Sequence, residues 1–273
     1  PLVGVEVKGS KRWIDLFFLP RFQPIEVLKP FLIIILATIL CDIKSNILFK
    51  YLISIFLISF ISLLLIAQPD IGQTLLVIFC WAVLIFTSGI NIYILLAIFI
   101  AGASLLTYLI IYVPRFDYIQ GRIFSFFNRE TGTHNFQSDK AIESITSGGF
   151  FGKGIGEGVL KNRVPEAHTD YIISVISEEF GVVAIMLILL LFLILIYMVF
   201  KKISFETNDK AKLILIGSIS LILMQATIHI GVNIRLFPTT GMTLPFLSYG
   251  GSSIISTSIL AGIILNLTKR KIT

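Results

Sequence analysis

Charge is scarce in this chain. Asp, Glu, Lys and Arg make up 14% of its 273 residues, where a soluble domain carries about 25%. Hydrophobic residues make up 56% and the mean hydropathy is +0.93. A soluble protein of this length needs far more polar surface to cover its core, so an ordinary soluble domain and a disordered chain are both excluded. Cysteine is scarcer still. Cys41 and Cys80 both lie in apolar runs, which excludes a disulfide scaffold and makes them small core residues. Histidine occurs three times at distant positions, and HExxH and CxxC are absent, so spacing points to no metal site. No GxSxG or Cys–His arrangement supports nucleophilic catalysis. No internal repeat is visible. The period-2 alternation of a membrane β-barrel is missing too, as is any soluble basic domain that would bind nucleic acid.

What remains is apolar and helical in length. A helix rises about 1.5 Å per residue, so roughly 20 apolar residues cross a bilayer core. Seven spans are predicted: Ile25–Cys41, Ile47–Ala67, Ile71–Thr87, Asn91–Tyr112, Tyr171–Phe200, Lys212–Val232 and Gly250–Leu267. The fold class is therefore all-α, a polytopic membrane bundle of about seven helices, with one long polar segment, Val113–Asp170, between the fourth and fifth spans. The whole chain, 1–273, reads as a single membrane domain. The fifth span is long enough to require a tilt or a bend, and Gly181 is the candidate bend. Asp70, with Gln73 following, reads as a capping-box-like start to the third span.

Orientation follows from the basic residues. Nine of the 22 Lys and Arg fall on the side of the C-terminus, six in the short connections of the other side and seven in the long segment. The C-terminal side is therefore predicted to be cytoplasmic and the long segment extracytoplasmic. Residue 1 is Pro rather than Met, and no signal peptide precedes the polar start. That leads to the expectation that the chain begins partway through a larger protein.

The outer side is rich in cations: Arg12, Arg21, Arg115, Arg122, Lys153, Lys161, Arg163 and Arg235. Snorkelling beside lipid headgroups accounts for such residues, and so does a site for an anionic substrate such as a phosphate. Pro165-Glu166-Ala167-His168-Thr169-Asp170 leads into the fifth span. If extended, it places Glu166, His168 and Asp170 on one face. In the helix beyond, Asp170, Ser174, Ser177 and Gly181 share a face, with Glu178 at its edge. Counting about 20 residues back from Phe200 puts the hydrocarbon edge near Gly181, and Asp170 roughly 16 Å further out, at headgroup depth. Local sequence leaves two roles open for Asp170: a first-turn acid favoured by the helix dipole with Thr169 as N-cap, or a general base or metal ligand. Glu178 and Glu179 are too costly to face lipid, so at least one must meet a cavity or a cation. Gln225, His229 and Asn233 read as interhelical hydrogen bonders. The glycines at 148, 149, 152, 154, 156 and 158 fit neither a P-loop nor a dinucleotide fingerprint; turns and close backbone approach explain them.

Several stretches together resemble the FtsW/RodA (SEDS) family. Gly9-Ser10-Lys11-Arg12-Trp13-Ile14 resembles its G-x-x-R-W-I. Arg21-Phe22-Gln23-Pro24-Ile25-Glu26 with Lys29 resembles R-x-Q-P-S-E-x-x-K, and Gln68-Pro69-Asp70-Ile71-Gly72 resembles Q-P-D-x-G. Pro165–Asp170, followed by Glu178-Glu179-Phe180-Gly181, resembles P-E-x-H-T-D-F and E-E-x-G. Pro238–Gly241 with Leu244–Ser253 resembles P-x-x-G-x-x-L-P-F-x-S-Y-G-G-S-S. The match runs in order along the whole chain. Ile25 departs from the pattern, and so does Thr240, where Lys is common. The E-A-H-T-D wording and Gly241–Pro245 are closer to the division member, FtsW, than to RodA.

The resemblance implies ten spans, of which this chain matches the last seven. It implies a peptidoglycan glycosyltransferase of the bacterial cytoplasmic membrane that polymerises lipid II at the outer face. The implied partners are a class B penicillin-binding protein, other division proteins and membrane lipid. The family's essential acid falls on Asp170. Arg12, Lys29, Lys153 and Arg163 become candidate diphosphate contacts, and Glu166 and His168 either orient Asp170 or join it in holding a divalent cation; no cofactor is otherwise implied. Glu26 and Lys29 can instead pair within their own helix. Two rival functions remain open at this point, a lipid II transporter and a non-catalytic scaffold of the division machinery.

Overall fold

The computed structural model describes residues 5–7, 10–16, 19–42, 46–127, 133–159 and 164–269. All seven predicted spans are helices: α1 (Pro24–Leu40), α2 (Ile47–Ala67), α3 (Ile71–Thr87), α4 (Ile92–Tyr112), α7 (Ile172–Phe205), α8 (Asp209–Asn233) and α9 (Gly251–Thr268). Five of them (α2, α4, α7, α8 and α9) are long and apolar enough to cross a membrane, while α3 is apolar but has only 17 residues. The long segment is more ordered than a loop. After a 3-10 turn at Pro114–Phe116 it carries α5 (Asp117–Phe127) and α6 (Thr133–Gly148). The polar start forms a feature that hydropathy missed, an antiparallel sheet of β1 (Val5–Val7), β2 (Ser10–Leu16) and β3 (Leu19–Phe22) in the order β1-β2-β3.

The described chain divides into two compact units. The first comprises Pro1–Ile100, Ile196–Met224 and Gly250–Thr273. In it α1 packs against α2, α3 and α9, α2 against α3, and the first half of α8 against α1 and α3, with Leu36, Ala37, Leu84, Leu215, Ile222 and Leu260 fully buried. Gly217 makes this packing close, since a Cβ there would stand 2.7 Å from Ile33 Cγ2. The α3 helix starts as its sequence predicts, with the Asp70 carboxylate accepting from the Gln73 N–H over 3.3 Å.

The second unit comprises Ala101–Leu195 and Gln225–Tyr249. Its core joins Ile173, Ala226 and Leu244, with Ile172, Ile185, Phe192 and Ile230 packed against them. The α7 helix is broken at Gly181, where φ is +75°, a left-handed conformation that glycine alone takes without steric cost. The outer faces of α2, α4 and α7 are covered by exposed Phe, Leu, Ile and Tyr side chains such as Phe56, Tyr93, Leu187 and Leu191. Surface of that kind over three helices is stable only against lipid, so the protein is a multi-pass membrane protein.

Candidate active site

The acidic turn before α7 is compact, not extended. Glu166 has φ +58°, and its carbonyl accepts from the N–H groups of Thr169 and Asp170, each at 3.1 Å. The alternation of Glu166, His168 and Asp170 onto one extended face is therefore corrected: left-handed backbone at Glu166 folds the segment back on itself. Thr169 does not cap α7 either, because its hydroxyl donates backwards to the Glu166 carbonyl and carboxylate, at 3.2 and 3.1 Å.

This turn is sewn to the segment between α8 and α9. Asn233 Nδ2 donates to the Asp170 carbonyl over 3.0 Å. Ser248 Oγ donates to the Thr169 carbonyl over 2.7 Å, and the Tyr249 N–H to that of His168 over 2.9 Å. Ser248 Oγ in turn accepts from the Leu244 N–H. Gly241, at φ +71°, lies beside the acid; a Cβ there would stand 3.7 Å from Asp170 Oδ2. The polar residues of α8 hold the same segment. Gln225 Nε2 donates to the Thr243 carbonyl over 3.0 Å, and His229 Nδ1 lies 2.8 Å from that of Met242. Gln225 Nε2 donates to the Thr243 hydroxyl as well, over 3.3 Å, so these residues bond to a segment that folds back beside α8. The outcome is a main chain fixed on several sides with the Asp170 side chain half-exposed, and with Glu166 and His168 exposed beside it.

One turn into α7 the stripe turns inward: Ser174, Ser177 and Glu178 are buried. Glu178 accepts from Ser144 Oγ over 2.9 Å and faces Lys153 Nζ at 3.9 Å. The glycine-rich segment lies directly against this part of α7. The N–H groups of Lys153 and Gly154 donate to the carbonyls of Glu178 and Glu179, while the N–H groups of Val182 and Val183 donate to those of Gly149 and Phe150. Backbone groups freed by the break at Gly181 are thus satisfied by the loop. A Cβ on Gly148, Gly152 or Gly181 would overlap the facing main chain.

The remaining candidates are placed as follows. In the first unit, Arg12 reaches from β2 to the Gln68 and Pro69 carbonyls, with a guanidinium nitrogen 3.6 Å from the Asp70 carboxylate. Lys29 is fully buried with Nζ 2.7 Å from Glu26, whose other oxygen accepts from Gln73 Nε2 over 2.5 Å. In this structure Lys29 is engaged within its own helix and not presented to a diphosphate. Lys153 is half-exposed. Arg163 lies outside the described residues. Arg122 and Arg235 bond within the second unit, to the Thr239 carbonyl and to Asp139. Among the described residues no three His, Cys, Asp or Glu side chains converge as a metal site.

Fold and site together define a polytopic helical membrane protein with a half-exposed acid held at the mouth of a broken helix. The family described as cell cycle protein, FtsW/RodA/SpoVE, matches residues 1–272, and the chain belongs to it. It is 34% identical over 278 residues to the probable peptidoglycan glycosyltransferase FtsW of Caulobacter vibrioides, covering 99% of this chain and 68% of that protein. It is 32% identical over 284 residues to the protein of the same name from Enterococcus hirae, covering 99% and 71%. Among solved structures, a chain from work on the structural coordination of polymerization and crosslinking by a peptidoglycan synthase complex superposes with a TM-score of 0.81 at 28% identity, over 98% of this chain and 75% of that one. The rod shape determining protein RodA of Thermus thermophilus gives 0.65 at 29% identity, over 98% and 71%.

Proposed function

We propose that this protein is an FtsW-type peptidoglycan glycosyltransferase that joins lipid II units into glycan strands at the outer face of the bacterial cytoplasmic membrane, during cell division. The observation that supports it most is the Asp170 turn, whose main chain is pinned by Asn233, Ser248 and Tyr249 while its side chain is left half-exposed. A pinned backbone with an accessible carboxylate suits a positioned general base. A sugar hydroxyl of one lipid II attacks the anomeric carbon of another chain. The new C–O bond forms, the bond to the undecaprenyl diphosphate breaks with its electron pair, and the hydroxyl proton passes to Asp170. Glu166 and His168, exposed beside the acid, contact the sugar, and Lys153 and Arg163 offset charge on the leaving diphosphate. Arg12 does so only by releasing Asp70, and Lys29 only by releasing Glu26. The segment 113–170 is extracytoplasmic in this reading.

The peptidoglycan synthase complex among the structural relatives supports a penicillin-binding protein as partner, here of class B. Polymerisation of purified lipid II by the full-length protein with that partner tests the assignment. Asp170→Asn, folded and inserted, is expected to make no glycan polymer; full activity would overturn the role of Asp170. Lipid II transport without polymer by the unmodified pair would favour a transporter, and neither activity a scaffold.

A further inference from the structure

The glycine-rich segment between α6 and α7 belongs by sequence to a polar outer loop, yet among the described residues it presents the most exposed aromatic side chain of its unit, Phe151. Phe151 is 85% exposed, Phe150 74% and Ile155 78%. These residues are tied to a spanning helix. Gly149 and Phe150 accept from the N–H groups of Val182 and Val183, the first residues of α7 beyond its break. Val182, Val183, Met186 and Leu187 are themselves exposed and apolar. The aromatic tip is therefore tied by its main chain to the start of the exposed apolar surface of α7.

Depth follows from helix length. Lys201 and Lys202 end the apolar run of α7, and about 20 residues, roughly 30 Å, separate them from Gly181. The tip stands at the level of Gly181 and so at the opposite edge of the hydrocarbon. Irregular backbone survives at that depth only where its polar groups are paired. Here the loop and helix main chains satisfy one another through Lys153, Gly154, Val182 and Val183. Lys153, its side chain 40% exposed and its ammonium 3.9 Å from the buried Glu178 carboxylate, stands at this same level, where a stem can lie in apolar surroundings and its ammonium turns to the phosphates by parting from Glu178.

We propose that Phe150, Phe151 and Ile155 form a wedge inserted in the outer-leaflet acyl chains, which fixes the depth of the Lys153 ammonium at the lipid phosphates. The wedge is independent of the glycosyltransferase reading, because it rests only on α7 spanning the membrane.

The test uses the full-length protein in phosphatidylcholine–phosphatidylglycerol vesicles whose acyl chains are brominated either near the headgroup or near the methyl end. Trp13, Trp81 and every other Trp of the full-length protein are replaced by Phe, and Phe151→Trp serves as reporter. Met186→Trp, on the lipid-facing surface of α7, certifies insertion in the same vesicles. Phe151→Trp is expected to lose emission to an extent comparable with Met186→Trp, and more strongly with bromine near the headgroup. Emission untouched by bromine but quenched by aqueous iodide would place the tip in water and overturn the wedge. Emission untouched by both would place it against protein, and would overturn it equally.

Discussion

Asn233, in the last turn of α8, donates from Nδ2 to the main-chain carbonyl of Asp170 over 3.0 Å, and from the same nitrogen to its own helix at His229 over 2.8 Å. One buried amide thus ties the acid's backbone to a neighbouring helix end. Asn233→Ala leaves the Asp170 carbonyl short of a donor, at a cost of about 1–3 kcal/mol. If the bond positions Asp170, kcat for lipid II polymerisation should fall by roughly tenfold to a hundredfold with little change in KM. A drop in thermal stability with kcat intact would make Asn233 purely structural.

Gly181 and Gly89 both have left-handed φ, at +75° and +92°, but their surroundings differ. A side chain at Gly181 would overlap the Phe150 carbonyl, whereas nothing lies within 4 Å of one at Gly89. Gly89→Ala should cost only the backbone term, about 1–2 kcal/mol. Gly181→Ala must also part α7 from the glycine-rich loop, and is expected to cost roughly 3 kcal/mol or more. Thermal unfolding in detergent compares the two, and equal shifts would contradict the close approach.

Lys29 separates a structural from a substrate role. Lys29→Met strands the buried Glu26 carboxylate, an expected loss of about 3–5 kcal/mol. Adding Glu26→Gln removes the stranded charge and keeps an oxygen for Gln73, so most of the stability should return. Polymerase activity that returns with it assigns Lys29 to folding. A stable double variant without activity would assign it to the diphosphate.

Burial holds the Asp70 carboxyl above the ordinary carboxylate range, with Arg12 and the Gln73 N–H opposing the shift in part. The folded protein therefore binds this proton more tightly than the unfolded chain. The resulting stabilisation is complete below the ordinary carboxylate range and is lost as pH rises through the raised value. Asp70→Asn should accordingly flatten the decline in Tm from acid to neutral pH. Parallel pH profiles for the two proteins would show that Asp70 does not titrate there.

The seven apolar helices were legible because length and composition alone set what a bilayer accepts, and the bend at Gly181 because the fifth run exceeds that length. The sheet at Val5–Phe22 was not, since strands of three to seven residues carry too little pattern beside long apolar runs. Helices α5 and α6 were hidden in a polar segment for the same reason. Within the site, Asp170 was found through its motif. Ser248 and Tyr249 were in a motif too, but nothing local showed that they bond to a turn some 79 residues earlier.

By itself, the sequence determined the solvent this protein lives in, its spans and the acid on which its chemistry is proposed to depend, because hydrophobic length and an ordered set of short motifs are properties of the chain. Only the tertiary structure decided which groups that acid and its cations keep company with. The turn at Glu166 replaced an extended face with a pinned one, the pair at Glu26 occupied Lys29, and the break at Gly181 brought a glycine-rich loop onto α7. The pinning of that turn and the pairing at Gly181 depend on backbone groups distant in sequence finding partners once water is excluded, which no local pattern encodes, whereas the Glu26–Lys29 pair is local in sequence and its burial alone was decided by the fold.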